Sequence, residues 1–271
     1  MTPFTASAAR PAYDALASTY DAFTADYDYE RWLTVLHGLA TEHGAHGRRL
    51  LDVACGTGRS FEPMLRRGYE VMACDISPAM VERAIARLEG SSGTAAVADM
   101  RRLPDWGTFD LVTCLDDALN YLHSEVDLDA AFGSVARMLR AGGFYVFDVN
   151  SLTTYRTVFS STFTVEADEV VFHWHGEASP RVPPRSLCRA RLEISSGSST
   201  SVTHHVQRHW PPQVIRERLE RAGLECVAVR GQATGAVLSD HADQSVHTKV
   251  VFVARRKRFV RTGSAERRGQ C

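Results

Sequence analysis

The stretch Leu50-Leu51-Asp52-Val53-Ala54-Cys55-Gly56-Thr57-Gly58-Arg59-Ser60 constrains this chain more than any other. It reads as a short apolar strand, Arg49–Ala54, that runs into a glycine turn and then a helix near Ser60–Arg67. Glycines at such a turn let the backbone approach a ligand closely, and open α/β sheets bind ligands in the crevice beyond their strand ends. A second strand, Tyr69–Cys74, ends at Asp75, twenty residues after Cys55. An acidic side chain there can accept hydrogen bonds from both hydroxyls of a ribose.

The alternation continues. Ser77 is placed to cap a helix to Leu88, with Pro78 at its first position. Ala95–Ala98 is a weak third strand and Phe109–Leu115 a fourth. A helix over Asp127–Leu139 stops at Gly142-Gly143, and Phe144–Val149 is a fifth strand. Near-continuous apolar strands alternating with helices argue for a parallel sheet covered on both faces. Two helical patterns precede it, one from near Pro11 with Tyr13, Leu16, Ala17 and Tyr20, the other from Tyr29 to His43. After the fifth strand the pattern changes: Val165–Glu177, Leu187–Ser195 and Val202–Trp210 read as extended and predict a small antiparallel sheet inserted into the core. A helix at Gln213–Ala222 and strands at Cys226–Arg230 and His247–Arg255 close the chain.

Two cofactors meet the logic of the glycine turn, a dinucleotide or S-adenosylmethionine (SAM). The dinucleotide fingerprint needs a third glycine so that the helix N-terminus meets the pyrophosphate. Counted from Gly56, that place holds Phe61. SAM has no phosphate, so the departure favours it.

The ordered segments DVACGTG, CDISPAMVERA, ADMRRLP, FDLVTCLDDALNYL and LRAGGFYVFDVNS resemble those of class I SAM-dependent methyltransferases, small-molecule type, over roughly Tyr13 to Arg255. The resemblance implies an α/β fold: a Rossmann-like seven-stranded, mostly parallel sheet with helices on both faces and the inserted antiparallel sheet. By position it assigns Asp52, Ala54, Gly56 and Gly58 to the turn around the methionine half of SAM, with Ala54 where the family often has glycine. Asp75 takes the ribose, Ile76 and Met80 flank the adenine, Asp99 accepts its amino group, and Met100 supplies a backbone N–H. Leu115 and Asp116 stand where cofactor meets acceptor, and Tyr13 and Tyr20, with Trp32, close over the site. The insertion resembles the amino-sugar N-methyltransferases in arrangement, not in sequence.

Methyl transfer from a sulfonium is an in-line displacement, so positioning can suffice for a neutral amine, whereas a hydroxyl usually needs a base or metal. Tyr121 and His123 are the candidate catalytic groups, and Asn120, Tyr121, Trp174 and Arg208 the candidate acceptor-binding ones. His173 and His175 share one strand face and Phe172 and Trp174 the other. No acidic partner stands at a metal-site spacing from these histidines, so no metal is expected.

Composition narrows the partners. With 31 basic and 32 acidic residues the net charge is −1, and no global attraction to nucleic acid or anionic membrane follows. From Arg255 onward seven Lys or Arg stand against one Glu, which reads as a basic tail, 255–271. The six cysteines make no C-x-x-C pair and read as buried thiols of a cytoplasmic protein. No signal peptide or membrane span is read. The expectation is one methyltransferase domain, 1–254, with an N-terminal helical cap (1–45) and an inserted substrate cap (160–210). It acts on a small-molecule acceptor through N or O, in specialised metabolism, as a monomer or homodimer. The alternatives are an RNA or protein methyltransferase, or a SAM-binding enzyme such as a cyclase that transfers no methyl group.

Overall fold

The computed structural model describes residues 9–232 and 235–258. Its frame is an eight-stranded sheet in the order β11-β10-β12-β5-β4-β1-β2-β3. The strands β1 (Arg49–Val53), β2 (Glu70–Asp75), β3 (Thr94–Val97), β4 (Phe109–Cys114) and β5 (Leu139–Asn150) run parallel. Then β10 (Leu224–Gln232), the two-residue β11 (Leu238–Ser239) and β12 (Lys249–Arg256) close one edge antiparallel. β11 is the one strand beyond the expected seven; two residues carry no periodicity from which to read it.

The strands are apolar because both faces are covered. Leu51, Val112, Phe147 and Phe252 pack on one face with α6 (Glu125–Met138) and α8 (Pro212–Arg221). Leu50, Val71, Val146 and Val251 pack on the other with α3 (Tyr29–Glu42) and α4 (Glu62–Arg66). Side-chain caps fix where helices start: Asp28 accepts from Arg31 N, Ser77 from Met80 N at the head of α5 (Pro78–Arg87), and Ser124 from Asp127 N. The parallel order reverses between β1 and β4, which creates a crevice at their carboxyl ends.

Three expected boundaries move. The helix read as Asp127–Leu139 starts at Glu125, and the chain enters β5 directly at Leu139, ahead of the glycine pair. The stretch read as one strand, Val165–Glu177, is a hairpin of β6 (Thr162–Ala167) and β7 (Val170–Gly176), turned at Asp168 with φ +53°. With β8 (Leu187–Ser196) and β9 (Ser199–Arg208) it makes a four-stranded antiparallel sheet. The basic tail does not begin at Arg255. Arg255 pairs with Glu225, Arg256 with the Leu139 carbonyl and Lys257 with Glu220, so all three belong to the sheet end. Residues 259–271 of that tail, Cys271 among them, lie outside the described residues.

The second sheet has its own core. Phe172, Leu192, Ile194 and Trp174 meet Leu16 of α1 (Ala9–Leu16), and Tyr155 and Phe159 from the segment after β5 that holds α7 (Leu152–Thr157). Phe172 and Trp174 face inward, as their alternation with His173 and His175 predicts. α1 and the short α2 (Tyr20–Phe23) thus bridge this sheet and the crevice. No described helix is long and apolar enough to cross a membrane.

Candidate active site

The crevice opens as a cleft of about 1270 Å³, counting its mouth. One wall is the loop after β1 with Asp75 and Ile76; a second is Asp99, Met100 and Arg101; a third runs from Leu115 to His123. Tyr13, Tyr20 and Tyr29 form the roof.

The loop after β1 turns on three positive-φ residues, Ala54 (+57°), Gly56 (+55°) and Gly58 (+95°). Ala54 holds a left-handed conformation that favours glycine. Two contacts clip the loop to β2. Cys55 N donates to the Cys74 carbonyl at 2.9 Å, and Gly56 N donates to Asp75 Oδ2 at 3.0 Å. Asp75 Oδ1 accepts from Ser77 N at 2.9 Å. Burial pushes the Asp75 carboxyl up, against the pull of these backbone donors. Each oxygen still has lone-pair capacity to offer the cavity. Asp52 sits deeper and does not line the cleft. It accepts from Ser60 Oγ (2.5 Å) and Thr113 Oγ1 (2.6 Å), and burial raises it to about 6. Its task is to fasten the turn from below.

Opposite lies a strained acidic corner. Asp116 and Asp117 are consecutive non-glycine residues at φ +57° and +52°. Their N–H groups both donate to the buried Asp148 carboxylate, at 3.0 and 2.7 Å, which holds the two strained peptides in place. Lys249 reaches Asp117 and Asp148 at 3.0 Å and Asp116 at 3.6 Å. Burial works against the Lys249 charge, but the three carboxylates outweigh it and hold the ammonium protonated. One lysine faces three acids, and burial raises both Asp116 and Asp117. Tyr29 donates to Asp116 Oδ2 at 2.5 Å.

Tyr121 stands at the floor. Its hydroxyl meets Tyr13 Oη at 3.1 Å and His205 Nδ1, from β9, at 2.8 Å. Burial, with Asp117 nearby, pushes the Tyr121 hydroxyl well above its ordinary value. A hydroxyl held protonated in this way can orient an acceptor. His123 lines the cleft, and its Nε2–H donates to the Val206 carbonyl at 2.8 Å, so in a neutral ring Nδ1 is the nitrogen without a proton.

Twelve of the residues singled out in the sequence line this one cleft: Tyr13, Tyr20, Ala54, Gly56, Asp75, Ile76, Asp99, Met100, Leu115, Asp116, Tyr121 and His123. Seven others do not. Trp32 is core under α3, and Met80 is fully buried beneath α5. Asp52 and Gly58 shape the turn. Asn120 ties the Arg208 carbonyl to Asn150 N, Trp174 belongs to the core of the second sheet, and the Arg208 guanidinium reaches the Arg185 carbonyl and the Trp210 ring. Asp99 lines the cleft, but its carboxylate is gripped side-on by Arg101, at 2.6–3.1 Å. Sequence reasoning missed Tyr29, Arg59 and Arg101 in the lining, and Asp148 and Lys249 behind it, whereas His205, also behind it, lies in the stretch Val202–Trp210 that the sequence placed in the inserted cap. Arg59 adjoins the glycine turn and could have been found there; Lys249 comes from a strand distant in sequence and carried no local signal.

Which cofactor fits is decided by charge and by one side chain. The Phe61 ring is fully buried beside Gly58, so it fills the place of the dinucleotide glycine, and the helix that follows is only five residues long. Four acids line the cleft, Asp75, Asp99, Asp116 and Asp127, against two arginines. Arg101 is paired with Asp99 and Asp127, and Arg59 donates to the carbonyls of Asp21, Thr24 and Tyr27. An acidic cleft without a phosphate cradle suits a nucleoside that carries sulfonium and ammonium charge.

A family model described as "Methyltransferase domain" matches residues 50–143. The chain is 32% identical over 235 residues to YqeM of Bacillus subtilis (strain 168), a protein named as a methyltransferase, covering 82% of this chain and 90% of that one. This chain belongs to the class I SAM-dependent methyltransferases. It is 29% identical over 203 residues, 72% of this chain and 75% of the other, to a dTDP-3-amino-3,6-dideoxy-alpha-D-glucopyranose N,N-dimethyltransferase of Streptomyces fradiae. Two solved methyltransferase structures share the fold. One, a SAM-dependent enzyme from Clostridium acetobutylicum, has a TM-score of 0.75 at 24% identity, over 91% of this chain and 99% of that one. The other, a SAM-bound amino pentose methyltransferase from Micromonospora echinaspora, has a TM-score of 0.65 at 22% identity, over 90% and 97%.

Proposed function

We propose that this methyltransferase acts on an amine nitrogen of a small molecule, held between the N-terminal helices and the antiparallel sheet. The observation that carries this reading is the acidic corner. Asp116, Asp117 and Asp148 face a single ammonium, and Asp116 lines the cleft, so a cationic acceptor arriving there meets an acidic partner. An incoming amine, charged on arrival, offsets that charge, whereas a carboxylate or phenolate acceptor would add to it. The amino-sugar substrates in the names of two relatives agree with it.

In this reading SAM supplies an electrophilic methyl group on a sulfonium. Asp75 holds the ribose; Ile76 and Met100 flank the adenine; Asp99 meets the adenine amino group from the edge that Arg101 leaves open. Ala54 and Gly56 provide close backbone approach to the methionine half, and Arg59 is the nearest cation for its carboxylate. Tyr13, Tyr20 and Tyr29 exclude water from above, which strengthens every charge interaction beneath them. Tyr13 and Tyr121 orient the acceptor, and Asp116 attracts the cationic form and takes up the proton released before attack. Of the cap regions expected at 1–45 and 160–210 in the domain 1–254, residues 1–8 lie outside the described residues and α3 packs on the main sheet, so α1, α2 and the four-stranded sheet are the parts that act as the cap.

The bare Nδ1 of His123 favours a second reading, a hydroxyl acceptor with His123 as the base. One experiment separates the two. The protein is incubated with SAM and either dTDP-3-amino-3,6-dideoxyglucose or its 3-hydroxy counterpart, and product masses are read. The amine should gain one or two methyl groups and the alcohol none. Methylation of the alcohol alone would overturn the amine reading.

A further inference from the structure

The floor of the cleft is one end of a buried hydrogen-bond chain that leaves the catalytic sheet and ends inside the cap. Tyr13 Oη donates to Tyr121 Oη at 3.1 Å; Tyr121 Oη lies 2.8 Å from His205 Nδ1; His205 Nε2 lies 3.0 Å from Thr203 Oγ1. His205 and Thr203 are buried two residues apart on β9, and so share a face. The rings of Tyr13, Tyr121 and Trp174 surround the imidazole, with centroids at 5.9, 6.2 and 5.8 Å.

Each hydroxyl in this chain has one proton, so the chain has a direction. If His205 carries its proton on Nε2, Nδ1 accepts from Tyr121. Tyr121 then accepts from Tyr13, and both tyrosine oxygens turn lone pairs, not protons, toward the cleft. If the proton sits on Nδ1, Tyr121 accepts it, and one tyrosine proton is left over: that of Tyr13 if Tyr121 donates to it, that of Tyr121 if Tyr13 still donates, and either O–H is then free to turn into the cleft. The two cases treat an amine oppositely. Lone pairs on the wall accept its N–H groups and leave its own lone pair free for attack. A wall O–H would bind that lone pair and blunt the nucleophile.

We propose that His205 is a positioning residue: as its Nε2–H tautomer, with Nε2 paired to Thr203 Oγ1 and Nδ1 accepting from Tyr121, it fixes the direction of the Tyr13–Tyr121 pair so that this wall of the cleft presents only hydrogen-bond acceptors to the amine. The role depends on a neutral ring. Burial, with His204 alongside, pushes His205 down to about 4, so one nitrogen is bare at ordinary pH. The role rests on the amine reading above. It also gives the cap a part in the chemistry beyond covering it, because β9 supplies the residue that sets the floor.

The test reads the proton directly. Nitrogen-15 NMR of the full chain bound to S-adenosylhomocysteine distinguishes a protonated from a bare imidazole nitrogen, and His205→Gln assigns the signal. His205 should show Nε2 protonated and Nδ1 bare. Tyr121→Phe removes the donor to Nδ1 and should shift that nitrogen and erode the tautomer preference. A proton on Nδ1, or a His205 signal indifferent to Tyr121→Phe, overturns the proposal. With dTDP-3-amino-3,6-dideoxyglucose as the probe, His205→Phe should lower kcat by about tenfold, the equivalent of one misdirected hydrogen bond. Affinity for SAM should stay within about twofold of wild type by the same measure. His205→Gln, whose amide oxygen can still accept from Tyr121, should restore most of the rate; equal losses in the two variants would count against a directional role. If His205→Phe does not fold, the tautomer and the Tyr121→Phe shift decide alone. If the sugar amine is not methylated at all, the amine reading fails while the tautomer measurement still stands.

Discussion

At the scale of single residues, the site is shaped as much by side chains behind the cleft as by those lining it. Asp52 is the clearest case. Burial raises it to about 6 from an unfolded value of 3.8. The folded protein therefore holds this proton more tightly than the unfolded chain does. The stability it contributes is full below the unfolded value and is lost as pH rises through about 6. Asp52→Asn, neutral throughout, should gain on wild type by about 2–3 kcal/mol between roughly pH 4 and pH 7. Urea unfolding at several pH values checks this, and parallel profiles for the two proteins would refute it. Gly58 makes a second case. A Cβ there would stand 2.5 Å from the Phe61 ring, at a φ of +95° that side chains rarely adopt. Gly58→Val should therefore cost about 2–5 kcal/mol of folding stability, visible as a lowered urea midpoint without any ligand. A variant of unchanged stability that merely failed to bind SAM would show that Gly58 is a ligand contact after all.

At the scale of elements, α1 ties the two sheets together. Leu16 is almost wholly buried among Phe172, Leu192 and Trp174, while Tyr13, one turn earlier, lines the cleft. Leu16→Ala should cost about 2–5 kcal/mol, as large-to-small core changes do, and the loss should be local. Amides of α1 and the β6–β7 hairpin should exchange faster while those of β1 and β4 hold, and SAM should bind more weakly. Uniform acceleration across both sheets would contradict this division. The same elements show what could be read from the chain. The parallel sheet was legible because its strands are buried on both faces and so are apolar without a break; Leu50, Leu51 and Val53 announce β1 unaided. The hairpin was not, because Asp168 makes its turn with a left-handed φ that Asp tolerates and the sequence does not flag. Residues of the glycine turn and the ends of β2 and β4 reach the cleft because local geometry points them there. Trp32 and Met80 do not, because a large apolar side chain on a helix facing the sheet gains more from the core than from a cleft. Lys249 and His205 reach the site only through strand pairing, β12 on β5 and β8 on β9.

At the scale of the whole molecule, an acidic cleft lies at the carboxyl ends of the main sheet, beside the helices that tie the second sheet to it, and occupancy of that cleft should be felt throughout the fold. A ligand that binds only the folded state, at a hundred times its dissociation constant, adds about 2.7 kcal/mol. For a domain of this size each kcal/mol moves the melting temperature by about 2–4 °C. S-adenosylhomocysteine should therefore raise it by about 5–10 °C. NAD, which needs a phosphate cradle that Phe61 and the short α4 do not provide, should leave it unchanged at the same concentration. Asp75→Ala separates the binding term from the structural one. Without ligand the variant should melt earlier, because Gly56 N and Ser77 N lose their acceptor. With ligand, the increment over its own unliganded value should shrink to less than half, since a ribose without its charged acceptor forfeits about 1.5–3 kcal/mol. Differential scanning of the four states measures both terms at once. An undiminished increment in Asp75→Ala would remove this carboxylate from the cofactor site, and an equal shift with NAD would remove SAM's claim to the cleft.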